Sequence, residues 1–172
     1  MAKKLLVLGA GIYGLVAKEI ADSMACFDAV AFADDNKENP YALPIVGAIS
    51  KLSALAKEYT HVFVAIGNPA LRASLLERLR ALPCVHIATL ISPKAYVSPS
   101  AVLSDGVIVE PMAAVHAACR LAEGCFVCAG AVVNHGAECG AYSQIDCNAT
   151  VAGFATVPPH TKIPAGTTKE KE

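Results

Sequence analysis

The sequence predicts two successive architectures, an α/β domain with a parallel sheet and then a β-solenoid, and three observations carry that expectation. From Val97 onward an aliphatic residue returns at every sixth position, with a small residue four places after it. Upstream, short apolar runs alternate with helical stretches instead. The first of those runs, Lys4-Leu-Leu-Val-Leu8, leads at once into Gly9-Ala-Gly11-Ile-Tyr-Gly14 and a helical segment. The change of grammar places the domains at 1-92 and 93-172.

In order along the first domain, Lys4 to Leu8 is a continuous apolar run of the kind buried in parallel sheets. The glycine turn follows, then a helix through Leu15-Val-Ala-Lys-Glu-Ile-Ala-Asp22. A second strand is expected at Ala29 to Ala33, ending in Asp34-Asp35-Asn36. A third, His61 to Ile66, runs through Gly67-Asn68-Pro69 into a helix from Ala70 to Arg80, and a short strand is expected at Val85 to Leu90. Strands alternating with helices predict a Rossmann-like parallel sheet.

The GxGxxG turn sits between a strand and a helix, the context that gives it meaning. Glycine at Gly9, Gly11 and Gly14 permits a tight turn and close backbone approach, and the helix N-terminus offers unpaired N–H groups and positive dipole to a phosphate. Tyr13 lies in the same turn. Asp34 or Asp35 would reach a ribose hydroxyl or a base, and Gly67 and Asn68 stand at the carboxyl end of their strand, where ligands bind in open α/β sheets. A full dinucleotide fold pairs two βαβαβ halves, and this domain is too short for that. A mononucleotide, or a sugar attached to one, fits better.

In the second domain the aliphatic row is Val97, Leu103, Val109, Val115, Leu121, Val127, Val133, Cys139, Ile145, Val151, Val157 and Ile163. A period of six suits neither a helix nor a two-sided strand, but it suits a solenoid whose short strands meet at corners. The pattern resembles the hexapeptide repeat of left-handed parallel β-helix proteins, whose triangular coils take three hexads each. That implies about four coils. Pro158, Pro159 and Pro164 would cap the prism, because proline withholds the N–H that a further strand would pair with.

Bulk properties exclude several classes. A formal charge of −1 gives no basic field for nucleic acid, and no apolar run reaches membrane-spanning length. A 55% hydrophobic composition is ample for a core, and the expected location is cytoplasmic. Seven cysteines, an odd number, argue against a disulfide framework. Cys125-x-x-Cys128 has no second pair to complete a four-ligand zinc site, and Cys119, Cys125 and Cys139 fall on core rows, so packing is the expected role and no metal is expected.

Together, Gly9-Ala-Gly-Ile-Tyr-Gly14, Phe32-Ala-Asp-Asp-Asn36, Ala65-Ile-Gly-Asn68 and Ala131-Val-Val-Asn-His135 resemble one family over nearly the whole chain. It is the sugar O- and N-acyltransferases, which include sialic-acid O-acetyltransferases and the enzymes that acetylate UDP-4-amino-sugars. The resemblance implies that the α/β domain binds a nucleotide sugar, that acetyl-CoA lies along the β-helix between neighbouring subunits, and that His135 is the general base. A base is what the chemistry requires, since an amine or hydroxyl attacking a thioester must lose a proton. His135 lies off the core rows, and with eighteen residues per coil its stacked neighbours are Ala117 and Gly153, both small. Gly153 and Gln144 are the expected CoA contacts, with His116, Asn134 and Glu138 in support.

The chain departs from the family at Gly136, where relatives carry Asp or Glu, and at Tyr13 and Gln144, where they carry histidine. Relatives also continue for roughly two more coils past the region of Val151 to Gly153. Small outward residues such as Ala114, Ala117, Ala118, Ala129 and Ala141 predict a homotrimer. Two other readings are a non-catalytic homologue that binds a nucleotide sugar but not CoA, and a γ-class carbonic anhydrase. The second would need closely spaced histidine ligands, whereas His116, His135 and His160 are far apart in the chain.

Overall fold

The structure, a computed structural model, describes residues 2–36, 38–83 and 85–171. They form two compact units, Met1–Ala88 and Thr89–Glu172. The division falls ahead of the expected 92/93 boundary because Leu90–Ile91 pair with Ile108–Val109 and so belong to the solenoid. The strand expected at Val85 to Leu90 is accordingly two short strands, His86–Ile87 in the first unit and Leu90–Ile91 in the second.

In the first unit the order is β1 (Lys4–Leu8), α1 (Ile12–Met24), β2 (Ala29–Ala33), β3 (Ile45–Gly47), α2 (Leu52–Leu55), β4 (His61–Val64), α3 (Pro69–Arg80) and β5 (His86–Ile87). All pairings are parallel, and the sheet order is β3-β2-β1-β4-β5. Central β1 is covered on both faces, with Leu5, Leu6, Val7 and Leu8 each 0% exposed, which is why its sequence is a run rather than an alternation. Helix α1 buries Gly14, Ala17, Ile20 and Ala21, a stripe at helical spacing. The chain fills one side of β1 with β2 and β3, then crosses to the other with β4 and β5. That reversal sets a topological switch point between the carboxyl ends of β1 and β4, the place where this architecture opens a ligand crevice.

In the second unit the described residues form fourteen two-residue strands, from Leu90–Ile91 to Thr168–Lys169. They stack into three parallel sheets, and Ala114 pairs with Tyr96 below and Val132 above, a repeat of eighteen residues. This is the short left-handed parallel β-helix, with between four and five coils. Val109, Val115, Leu121, Val127, Val133, Cys139, Ile145, Val151 and Val157 line its axis, none more than 2% exposed. Cys119 and Cys125 join them, and their thiols donate to the carbonyls of Asn134 and Gly140 at 3.0 and 3.1 Å. Cys125 and Cys128 are both free thiols, so the CxxC pair is not a disulfide.

A further row, not seen in the sequence, turns the corners. Gly106, Met112, Ala118, Gly124, Gly130, Gly136, Tyr142, Asn148, Phe154, His160 and Gly166 all have φ between +55 and +72°, one residue per hexad. Glycine takes that conformation freely, whereas a residue with a side chain is disfavoured there by roughly 1 kcal/mol or more. The proline stretch does take part in the last coils. Val157 and Ile163 carbonyls accept from Gly140 and Asp146 at 2.8 and 3.0 Å. Pro158 and Pro164 occupy the next ladder position, where Gly140 and Asp146 donate upward one coil earlier, so those two faces offer no donor there.

Candidate active site

The β-helix unit presents His135 at the corner between its Val132–Val133 strand and its Glu138–Cys139 strand. The imidazole is exposed, and the side-chain hydrogen bonds among the described residues include none to it. Gly153 lies directly over it in the next coil: a Cβ built there would stand 3.0 Å from Nε2 and 3.1 Å from Cε1. A side chain at 153 would therefore press on the Nε2 edge, where glycine adds no atom. Below lies exposed Ala117, whose carbonyl accepts the Gly136 N–H at 2.9 Å. The Phe154 ring meets the imidazole edge to face, centroids 5.2 Å apart at 84°.

The supporting candidates divide. Asn134 is half-buried beside His135, and its carbonyl is taken by the Cys119 thiol. His116 sits one coil lower, its ring 6.1 Å from that of Tyr96. Glu138 does not turn back toward His135; it lies on the next strand, 4.0 Å from Arg120 Nε in an exposed ion pair. Both of those side chains border a groove of about 350 Å³ on that face, with Val102, Thr156 and Pro159 among its other walls. Gln144 is on the third face, 6% exposed, its amide 3.7 Å from Cys128 Sγ, so the structure does not bring it to His135. Burial pushes the Cys128 thiol far above its ordinary range, which leaves it inert as a nucleophile. Among the described residues no group of three or more His, Cys, Asp or Glu could hold a metal ion.

In the α/β unit the switch point brings the glycine turn and the Gly67 loop together. Gly9 has φ +104°, and a Cβ there would meet the Ala65 carbonyl oxygen at 2.8 Å. A Cβ on Gly14 would collide with the Gly9 carbonyl oxygen. These two glycines are thus required by the fold itself. Gly11 is different: nothing lies within 4 Å of the place its Cβ would take, and its φ is an ordinary −80°. No side chain caps α1 at Gly11, and no acid sits in its first turn.

Asp34 holds this turn in shape, Oδ2 accepting from Ala10 N–H at 2.6 Å and Oδ1 from Asn36 N–H at 2.8 Å. Asp35 is exposed and accepts from Ser50 N–H at 3.2 Å. The Tyr13 ring covers Gly67, where a Cβ would come within 2.8 Å of its Cε2. Asn68 caps α3, its Oδ1 accepting from Ala70 and Leu71 N–H, both at 3.0 Å. Arg72, 0% exposed, donates to the Ile66 and Gly67 carbonyls at 2.8 and 3.2 Å and fixes the loop from beneath. Sequence reasoning missed Arg72, since nothing in the pattern marks a buried cation. It also missed Phe154, although adding one coil length to Gly136 points straight at it.

The family model of the PglD N-terminal domain matches residues 4–79. The solved acetyltransferase domain of PglB from Neisseria gonorrhoeae FA1090 is 30% identical, with a TM-score of 0.89 over 98% of this chain and 86% of that one. The chain belongs to the sugar O- and N-acyltransferase family. Within that family, the same Neisseria domain solved in complex with acetyl coenzyme A matches 99% of this chain and 97% of its own at 27% identity and a TM-score of 0.80. PerB from Caulobacter crescentus, solved with CoA and GDP-perosamine, shares the fold at 23% identity, covering 100% of this chain and 93% of its own with a TM-score of 0.82. No curated protein sequence matches significantly. As a family member the chain has no helix among the described residues long and apolar enough to cross a membrane.

Proposed function

We propose that the protein transfers an acetyl group from acetyl-CoA to the amine of a nucleotide-linked amino sugar, with His135 as general base. The observation that carries this reading is the exposed imidazole of His135 with a glycine, Gly153, stacked over its Nε2 edge. Its support is family membership, with relatives solved bound to acetyl coenzyme A and to CoA with GDP-perosamine. The amine nitrogen attacks the thioester carbonyl carbon and forms the N–C bond, while its proton passes to Nε2. Collapse of the tetrahedral species breaks the C–S bond, and the imidazolium returns the proton to the departing thiolate. The exposed groove beside Arg120 and Glu138 would receive part of CoA, and Ala114, Ala117, Ala118, Ala129 and Ala141 would face neighbouring copies in a homotrimer.

The diphosphate of the sugar nucleotide would rest on the uncapped N-terminus of α1, where Gly11 alone of the three glycines has no packing role. Asp34 shapes the turn, and Asp35 and Asn68 flank the crevice. The test is thiol release from acetyl-CoA with a panel of nucleotide-linked amino sugars, wild type against His135→Ala. Loss of a general base predicts a fall in kcat of roughly 10²- to 10⁴-fold; equal rates would refute the role. Gly136 favours a second reading, a non-catalytic protein that binds a nucleotide sugar but not CoA, because no carboxylate follows the histidine. Calorimetric titration separates the two, since saturable acetyl-CoA binding excludes the second.

A further inference from the structure

Phe154 carries two costs that the fold does not require. It holds an aromatic side chain at φ +60°, on a corner row where Gly106, Gly124, Gly130, Gly136 and Gly166 make the same turn without strain and Met112, Ala118, Tyr142, Asn148 and His160 share its conformation. It also leaves the ring 60% exposed. Strain of this kind persists where surrounding contacts hold it and clusters at functional sites. The contacts here all point to one place. The Phe154 N–H makes the bond common to these corners, here to the His135 carbonyl at 3.0 Å, and its ring meets the imidazole edge to face at 5.2 Å. The ring lies flat on Gly136, where a Cβ would fall 2.5 Å from both Cδ1 and Cε1. Lys171 Nζ stands 5.3 Å above the ring.

The Phe154 ring thus occupies the space that a side chain at 136 would enter. We infer that Phe154 is a positioning residue for His135, its ring filling the space over Gly136 and, with Gly153, fixing the imidazole plane that a hydrogen-bonded carboxylate would otherwise orient. The inference rests on His135 being the base. Phe154 touches no reacting atom. Its work is to keep the Nε2 edge directed at the acceptor without a second charged group in the site.

Phe154→Gly separates this role from a structural one, because glycine relieves the left-handed strain and removes an exposed apolar ring. The variant is expected to melt no lower than wild type, yet to lose about ten- to hundredfold in kcat with KM for both substrates within about twofold. Phe154→Tyr keeps the ring and is expected to restore most of the rate. In the substrate-free protein, NMR of the His135 imidazole should report one side-chain rotamer in wild type and Phe154→Tyr, and rotamer averaging in Phe154→Gly. A fixed His135 rotamer in Phe154→Gly would overturn the inference, as would an unchanged kcat. A wild type without transferase activity but with the expected NMR change would instead refute the proposed base and leave the positioning contact standing.

Discussion

Gly153→Ala is the sharpest probe of the candidate site. The backbone at 153 lies outside the left-handed region, so alanine adds no conformational strain, and the only new element is a methyl group. That methyl would stand 3.0 Å from His135 Nε2, 3.1 Å from Cε1 and 3.5 Å from Cδ2. Comfortable carbon contacts begin near 3.5 Å, so the imidazole must retreat by about half an ångström. A misplacement of about 1 Å costs on the order of 10²-fold, which makes about tenfold in kcat the expected loss. His135 is exposed and lies outside the core, so stability should change by no more than about 0.5 kcal/mol. Thiol release at saturating acetyl-CoA, paired with a thermal melt, measures both quantities. A kcat within twofold of wild type at an unchanged melting temperature would show that the acceptor does not approach the Nε2 edge, and the proposed site would fall.

Other substitutions test the framework. Gly14→Ala gains about 1 kcal/mol of helix propensity but drives a Cβ into the Gly9 carbonyl, an overpacking of about 3 kcal/mol; the net loss of about 2 kcal/mol should lower the melting temperature by roughly 4–8 °C. Asn68→Ala removes two cap bonds and should cost about 1 kcal/mol by denaturant titration, whereas Asn68→Asp keeps the acceptor and should melt near wild type. Asp146 lies 2.7 Å from Lys162 across adjacent coils, and chiefly that bond holds its carboxyl below the usual range. The bond's stabilisation is present above the ordinary carboxylate pKa and is lost as pH falls through the lowered one. Asp146→Asn should therefore cost about 0.2–1 kcal/mol at neutral pH, as for a surface pair with an exposed lysine, with the deficit closing on acidification.

The interior of the β-helix was fully legible because burial imposes the same demand on every hexad, and even Cys139 obeys it at 2% exposure. The corner row was present in the glycines at 106, 124, 130, 136 and 166, but Met112, Tyr142, Phe154 and His160 interrupt it with side chains that no local rule favours. Coil arithmetic alone placed Gly153 over His135. It could not reveal that Phe154 lies across Gly136, since that depends on the direction of a ring. In the α/β unit the glycine turn could be read as a motif, yet dividing its glycines into structural and free needed the sheet order. Only then does Gly14 meet Gly9 while Gly11 meets nothing. The bond from Asp34 to Ala10 has the same origin, because β2 must lie beside β1 before the carboxylate can reach the turn.

The eighteen-residue spacing gives the two surfaces of the prism different arithmetic. Its interior reads position modulo six, so a six-residue insertion after His135 would keep every aliphatic residue on the axis. The exterior reads modulo eighteen: the same insertion would rotate all later columns by one face and carry Gly153 and Phe154 away from the imidazole. Whole coils inserted beyond Phe154 would leave the column intact. The solenoid can thus lengthen or shorten along its axis in units of a coil while its chemistry stays in register, whereas an indel of a single hexad would keep a folded core and dismantle the site.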